Sequence, residues 1–235
     1  MAGPVCIIGA MDEEITEFLS HAKGSKVVQR KSIQLHEASL FDVPVIVVKC
    51  GVGKVFAALI TQLVIDEYHP SAIISTGVAG ALSSVLAIGD VVVSSDCAQH
   101  DMDVRALGFE RGHIPFTDLR FFQADEKLAG LALSADLESR EHKIVSGRIL
   151  TGDQFISADH WESHRYLKDE LKGDACDMET AAIAQVCTVN EVPFVSIRTI
   201  SDHADHSAHI DFNKFLPVVA SNSFHIVKQV LKGRG

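Results

Sequence analysis

Three groups of acidic residues stand at the edges of apolar runs: Asp12-Glu13-Glu14, Asp177-Met178-Glu179 and Ser201-Asp202. One carboxylate at such a boundary is ordinarily a helix cap or a solvated charge. Three groups of them, each at a strand end or helix start, offer acid–base chemistry, because carboxyls in different environments keep different protonation states at neutral pH. Arg198 lies inside the apolar run Phe194 to Ile200, which leads into Asp202. A guanidinium buried there needs a carboxylate partner.

Other patterns carry less. Gly51-Val52-Gly53-Lys54 precedes a helix but fits neither common phosphate template. No glycine lies five residues before Gly53, Val55 follows Lys54 where Ser or Thr is needed, and Phe56 takes the place of a third glycine. Thr76-Gly77-Val78-Ala79-Gly80-Ala81 follows a continuous apolar run, either as a tight turn or as backbone that a ligand can approach closely. His160-Trp161-Glu162 is half of a zinc deaminase signature without its cysteine half. His203, His206 and His209 recur every third residue without a thiolate or carboxylate pattern, and read as a polar loop. No metal is expected.

These residues need a scaffold of alternating strands and helices. Strands are expected at Val5 to Ala10, Ser32 to Leu40, Val43 to Cys50, Ala72 to Thr76, Asp90 to Cys97, His142 to Leu150 and Pro193 to Ile200. Helices are expected at Glu13 to Ala22, Lys54 to Tyr68, Asp125 to Ser139, Trp161 to Glu170, Glu179 to Val189 and Asn213 to Leu231, the last capped by Asp211. The Lys54 to Tyr68 helix has almost no polar face, so it is buried on more than one side or meets a second subunit. The alternation, without repeats or a linker, predicts a single three-layer α/β/α domain over residues 1–235. Ligands in such folds bind where strands end.

Composition narrows the class. The chain has 235 residues, 47% of them hydrophobic, and a formal net charge of -10. Without a basic stripe it is not expected to bind nucleic acid, and no apolar run reaches the ~20 residues that span a bilayer. Five scattered cysteines (Cys6, Cys50, Cys97, Cys176 and Cys187) read as free thiols in a reducing, cytoplasmic compartment.

Seven motifs then occur in order: Ile8 to Glu14, Gly51 to Lys54, Thr76 to Gly80, His100 to Val104, Thr151 to Ile156, Asp177 to Glu179, and Arg198 to Asp202. Together they resemble the bacterial 5'-methylthioadenosine/S-adenosylhomocysteine nucleosidases of the purine nucleoside phosphorylase superfamily. The resemblance runs from about residue 5 to the last helix. It implies a central mixed sheet of the nucleoside phosphorylase type, a homodimer, no cofactor, and release of adenine from small adenine nucleosides, 5'-deoxyadenosine included, with a place in methionine salvage. By position it implies Glu14 as the residue that activates water, Asp202 as the acid at adenine N7 oriented by Ser201, and Arg198 as support for the water site. Glu179 resembles the acceptor of ribose hydroxyls, with Met178 packed on the sugar and Asp177 beside it. Phe155 is implied to stack on adenine and the Ile156 backbone to read its edge. Val52, Met11 and Phe212 are similar to residues lining the ribose and alkylthio pocket, with Val78, Ala79 and Gly80 beside them. Leu107 and Pro115 correspond to the mouth of the tail pocket, reached from the neighbouring subunit.

The chemistry of the residues agrees with those roles. Loss of adenine leaves an oxocarbenium-like sugar, so the leaving base needs an acid and the sugar needs negative potential. An apolar setting is expected to raise the pKa of Asp202 enough to hold a proton. Three positions depart from the family pattern: Val78 where Ser is usual, Leu107 where Phe is usual, and Asp177 where Glu is usual. A phosphorylase on the same fold, an aminodeoxyfutalosine nucleosidase and a catalytically silent nucleoside-binding module remain as alternatives. The acidic Asp12-Glu13-Glu14 loop disfavours the first, since it repels a phosphate dianion. Survival of Glu14, Glu179 and Asp202 disfavours the last.

Overall fold

A computed structural model describes residues 3–137, 141–157, 161–203 and 222–234. The first half runs β1 (Val5–Gly9), α1 (Asp12–His21), β2 (Lys23–Arg30), β3 (Ile33–Leu40), β4 (Val43–Lys49), α2 (Lys54–Tyr68) and β5 (Ala72–Ala81). The second half runs β6 (Val91–Gln99), β7 (Phe122–Gln123), α3 (Glu126–Leu133), β8 (Ile144–Thr151), α4 (Trp161–His164), α5 (Tyr166–Asp169), β9 (Ala175–Asp177), α6 (Thr180–Val189) and β10 (Phe194–Asp202). A final helix, α7, covers 222–233.

Alternation along the strands builds the layers. In β1, Cys6 and Ile8 face one side, where they join residues of α2 and α6 such as Ile60, Val64, Ile183 and Cys187. Val5 and Ile7 face the other, against Ile15 and Phe18 of α1, Leu128 of α3 and Val227 and Val230 of α7. Both faces of this strand are apolar, as expected where parallel strands are covered by helices on both sides. The three-layer mixed α/β architecture expected from the sequence is therefore present.

The described strands form one ten-stranded sheet. Its centre is parallel: β5 lies between β1 and β10, and β1 lies beside β4. Beyond β10 the pairing passes through β6, β8 and β9 and returns to β5, so five strands close into a ring. Closure brings the C-terminal ends of β5, β8 and β10 together with β9, which is where the acidic residues lie. Phe41 and Asp42, both at positive φ, make the two-residue β3–β4 turn.

Several boundaries differ from the expectations. Thr76 to Ala81 is the second half of β5 rather than a turn, because β10 pairs with it from Arg198↔Gly77 to Ile200↔Ala79 and holds it extended. β2 is an exposed, polar edge strand without apolar alternation, and β7 and β9 are too short to show a period. α3 ends at Leu133, and the expected Trp161 to Glu170 helix divides at Arg165 into two short turns. Asp125 caps α3 by accepting from the Leu128 N–H at 2.9 Å. The α2 helix buries Ala57, Ile60, Thr61, Val64 and Ile65, while Val55, Phe56 and Leu59 remain exposed. Asp211, Phe212, His206 and His209 lie outside the described residues.

Candidate active site

Glu14 is positioned by its own helix start. Its Oε2 accepts from the N–H groups of Ala10 at 2.6 Å and Met11 at 3.0 Å, so the side chain folds back over the first turn of α1. Its Oε1 accepts from the Val78 N–H in β5 at 3.1 Å. Burial raises its pKa, against the pull of the Arg198 guanidinium and these three N–H groups. Gly77 makes the approach possible: a Cβ there would stand 2.3 Å from Glu14 Oε1 and 3.0 Å from Arg198 Nη1.

Arg198 comes from β10 and is almost fully buried. Its Nε donates to Asp177 Oδ2 at 2.8 Å and its Nη2 to Ser75 Oγ at 3.0 Å. Its Nη1 makes no hydrogen bond among the described residues and lies on the Glu14 side of Gly77. Burial opposes its charge, but Asp177, Glu14 and Glu179 outweigh that and hold its pKa raised. The sequence-level demand for a carboxylate partner is met by Asp177.

That ion pair is what Asp177 is used for. Its carboxylate also accepts from Thr151 Oγ1 at 2.6 Å and from the N–H and hydroxyl of Thr180, the first residue of α6. These contacts occupy its lone pairs, so Asp177 lines the cavity but anchors Arg198 and α6 rather than facing a ligand. Glu179, two residues on, accepts from the Gly53 N–H at 2.8 Å through Oε1. Burial first, then the Asp177 charge, pushes its pKa up to about 8, although Arg198 lowers it.

Asp202 closes β10 at 3% exposure, and Ser201 Oγ donates to its Oδ2 at 2.8 Å. The β10 register against β5 shifts between Ile200 and Asp202, which sets Asp202 opposite Gly80. The side chains surround a cavity of about 300 Å³. Met11, Glu14, Val52 and Val78 line one part, and Met178 and Glu179 lie on the β9–α6 side. Ala79, Gly80, Ser201, Asp202, Phe155 and Ile156 complete the residues expected from sequence. Ala10, Gln154 and Cys176 also line it and were missed. Gln154 sits within the Thr151 to Ile156 motif, whereas Cys176 needed β9 to be recognised first.

Leu107 and Pro115 do not line the cavity of their own chain. Leu107 is exposed in a 3₁₀ turn over Arg105–Leu107. No Lys, Arg or His lines the cavity among the described residues, while four carboxyl groups do. Such a site suits a neutral ligand that becomes cationic as it reacts, with Phe155 and Ile156 giving it apolar lining against which a flat ring can pack.

Comparison with known proteins agrees with this geometry. Residues 4–232 match the phosphorylase superfamily. A 5'-methylthioadenosine/S-adenosylhomocysteine nucleosidase of Glaesserella parasuis is 36% identical over 225 residues, 96% of each chain. The nucleosidase of the same name from Colwellia psychrerythraea, solved in complex with adenine, superposes with a TM-score of 0.93 at 33% identity, covering 99% of this chain and 96% of that one. A futalosine hydrolase of Helicobacter pylori superposes with a TM-score of 0.91 at 31% identity, covering 99% of both. The chain thus belongs to the phosphorylase superfamily and, within it, to the 5'-methylthioadenosine/S-adenosylhomocysteine nucleosidase family.

Proposed function

We propose that this chain hydrolyses the N-glycosidic bond of 5'-methylthioadenosine and S-adenosylhomocysteine, releasing adenine and a 5-thio-substituted ribose. The observation that carries the reading is the convergence of Glu14, Glu179 and Asp202 on one cavity that Phe155 and Ile156 also line. Adenine packs against Phe155 and Ile156, and Asp202, held by Ser201, gives a proton to N7 as the C–N bond breaks. Glu179 accepts from the ribose hydroxyls with the oxygen that Gly53 does not use. Water in the cavity beside Glu14 gives its proton to that carboxylate and bonds to the anomeric carbon, while the Arg198 charge supports Glu14 from behind the cavity wall. The surrounding carboxylates favour the cationic sugar in the transition state.

The absence of any cation among the described cavity-lining residues disfavours phosphate as the nucleophile. Adenine release from methylthioadenosine in phosphate-free buffer tests this: turnover is expected, and strict dependence on phosphate would overturn the hydrolase reading. The similarity to a futalosine hydrolase favours a second reading, cleavage of aminodeoxyfutalosine at the same adenine and ribose contacts. Running the two nucleosides in the same assay separates them by kcat/KM.

Two further features belong to this reading. The exposed Val55, Phe56 and Leu59 of α2 support a homodimer, in which Leu107 of one subunit reaches the tail pocket of the other. Five free, buried thiols support a cytoplasmic setting, where methionine salvage would use the thio-sugar.

A further inference from the structure

A second polar group stands behind the cavity, and the chemistry above does not use it. Gly53, the residue before α2, has no side chain with which to cap that helix. Asp153 does so from across the fold: its Oδ1 accepts from the Lys54 N–H at 2.8 Å. The Asp153 N–H donates to Asp101 Oδ2 at 3.1 Å, and the Lys54 ammonium returns to Asp101 Oδ1 at 2.7 Å. Three residues distant in sequence therefore close a ring. The ring is further tied to the interior, because Lys54 Nζ also reaches Gln99 Oε1 at 3.1 Å.

Two members of the ring adjoin different parts of the cavity. Lys54 follows Gly53, whose N–H holds the ribose acceptor Glu179. Asp153 precedes Gln154, Phe155 and Ile156, which line the proposed adenine side of the cavity. Asp101 lines neither part and touches both neighbours. The Lys54–Asp101 pair is about one-fifth exposed on each side, sheltered enough for its geometry to matter more than that of a surface pair.

We infer that Asp101 is a positioning residue that fixes the distance between the ribose-holding and adenine-holding halves of the site, through Lys54 and the Asp153 N–H. The inference rests on the nucleosidase reading. A ligand that occupies both halves gains from their fixed spacing, because binding of the second half is then intramolecular. A ligand that occupies one half gains nothing from it. The ring should therefore matter for the whole nucleoside and not for adenine alone.

The test compares kcat/KM for methylthioadenosine with the inhibition constant of adenine, in wild type, Asp101→Ala, Asp101→Asn and Lys54→Met. Asp101→Ala is expected to lower kcat/KM by about tenfold or more while adenine inhibition changes less than about threefold. Asp101→Asn keeps an oxygen for the Asp153 N–H and should fall between wild type and Ala. If Asp101→Ala does not fold, the Asn and Met variants carry the same comparison, with thermal unfolding reporting their integrity. Equal losses for nucleoside and adenine, or no loss for either, would overturn the positioning role. A wild type that releases no adenine would instead overturn the nucleosidase reading and this inference with it, so the two failures are distinguishable.

Discussion

At the scale of single residues, the site separates carboxyls by their partners. Glu14 is held by three N–H groups, Asp177 is consumed by Arg198 and α6, Glu179 is held by one N–H, and Asp202 is oriented by a hydroxyl. Asp202→Asn keeps the Ser201 contact but removes the acid, so adenine release should fall by ~10²–10⁴-fold with little loss of ligand affinity. Steady-state turnover beside equilibrium binding checks this, and near-wild-type turnover would show that the proton comes from elsewhere. Glu179 carries a second prediction. Its folded pKa of about 8 lies above its ordinary value, so the folded state binds more protons than the unfolded chain between those limits. Stability should therefore fall as pH rises from about 5 to 8. Glu14, also shifted upward, contributes with the same sign. Glu179→Gln should flatten the dependence of Tm on pH over that interval, and an unchanged slope would count against the shift.

At the scale of elements, β5 is what lets the groups meet. The missing side chain of its Gly77 leaves room for both Glu14 and Arg198 at one point. Gly77→Ala should cost at least ~100-fold in adenine release, because a displaced water-activating group loses both orientation and general-base catalysis. Circular dichroism of the variant would confirm that the sheet survives, and retained activity would mean that Glu14 can move without consequence. This glycine also shows what was legible beforehand. Carboxylates at strand ends, the buried Arg198 with its need for a partner, and the β3–β4 hairpin could be read from residue types and alternation. That Thr76 to Ala81 stays extended could not, because small residues carry no strand period and β10 alone holds them flat. Nor could β9, three residues long, which places Cys176 in the cavity and Asp177 against Arg198.

At the scale of the molecule, an acidic, apolar-rich chain leaves part of its hydrophobic surface uncovered. Val55, Phe56 and Leu59 project from α2, and Leu107 and Phe116 stand on the segment between β6 and β7. Exposed apolar groups on one helix are what the proposed symmetric dimer would cover with the same patch of a second copy. Leu59→Glu should shift the protein from dimer to monomer in sedimentation velocity and lower activity on tailed nucleosides. A wild type that sediments as a monomer would remove the dimer from the proposal. The ring of strands has a further consequence, for the order in which the enzyme comes into being. Glu14 follows β1 and Asp202 ends β10, and both strands take their places beside β5. In the proposed mechanism, a growing chain on the ribosome thus carries Glu14, the water-activating group, from the start and gains Asp202, the acid, near the end. Arg198 and Asp202 share β10, so both depend on the placement of that one strand. A fragment that stops before β10 lacks both residues, so activity is expected only once the long-range β5–β10 pairing has formed, and pairings of that kind are slow.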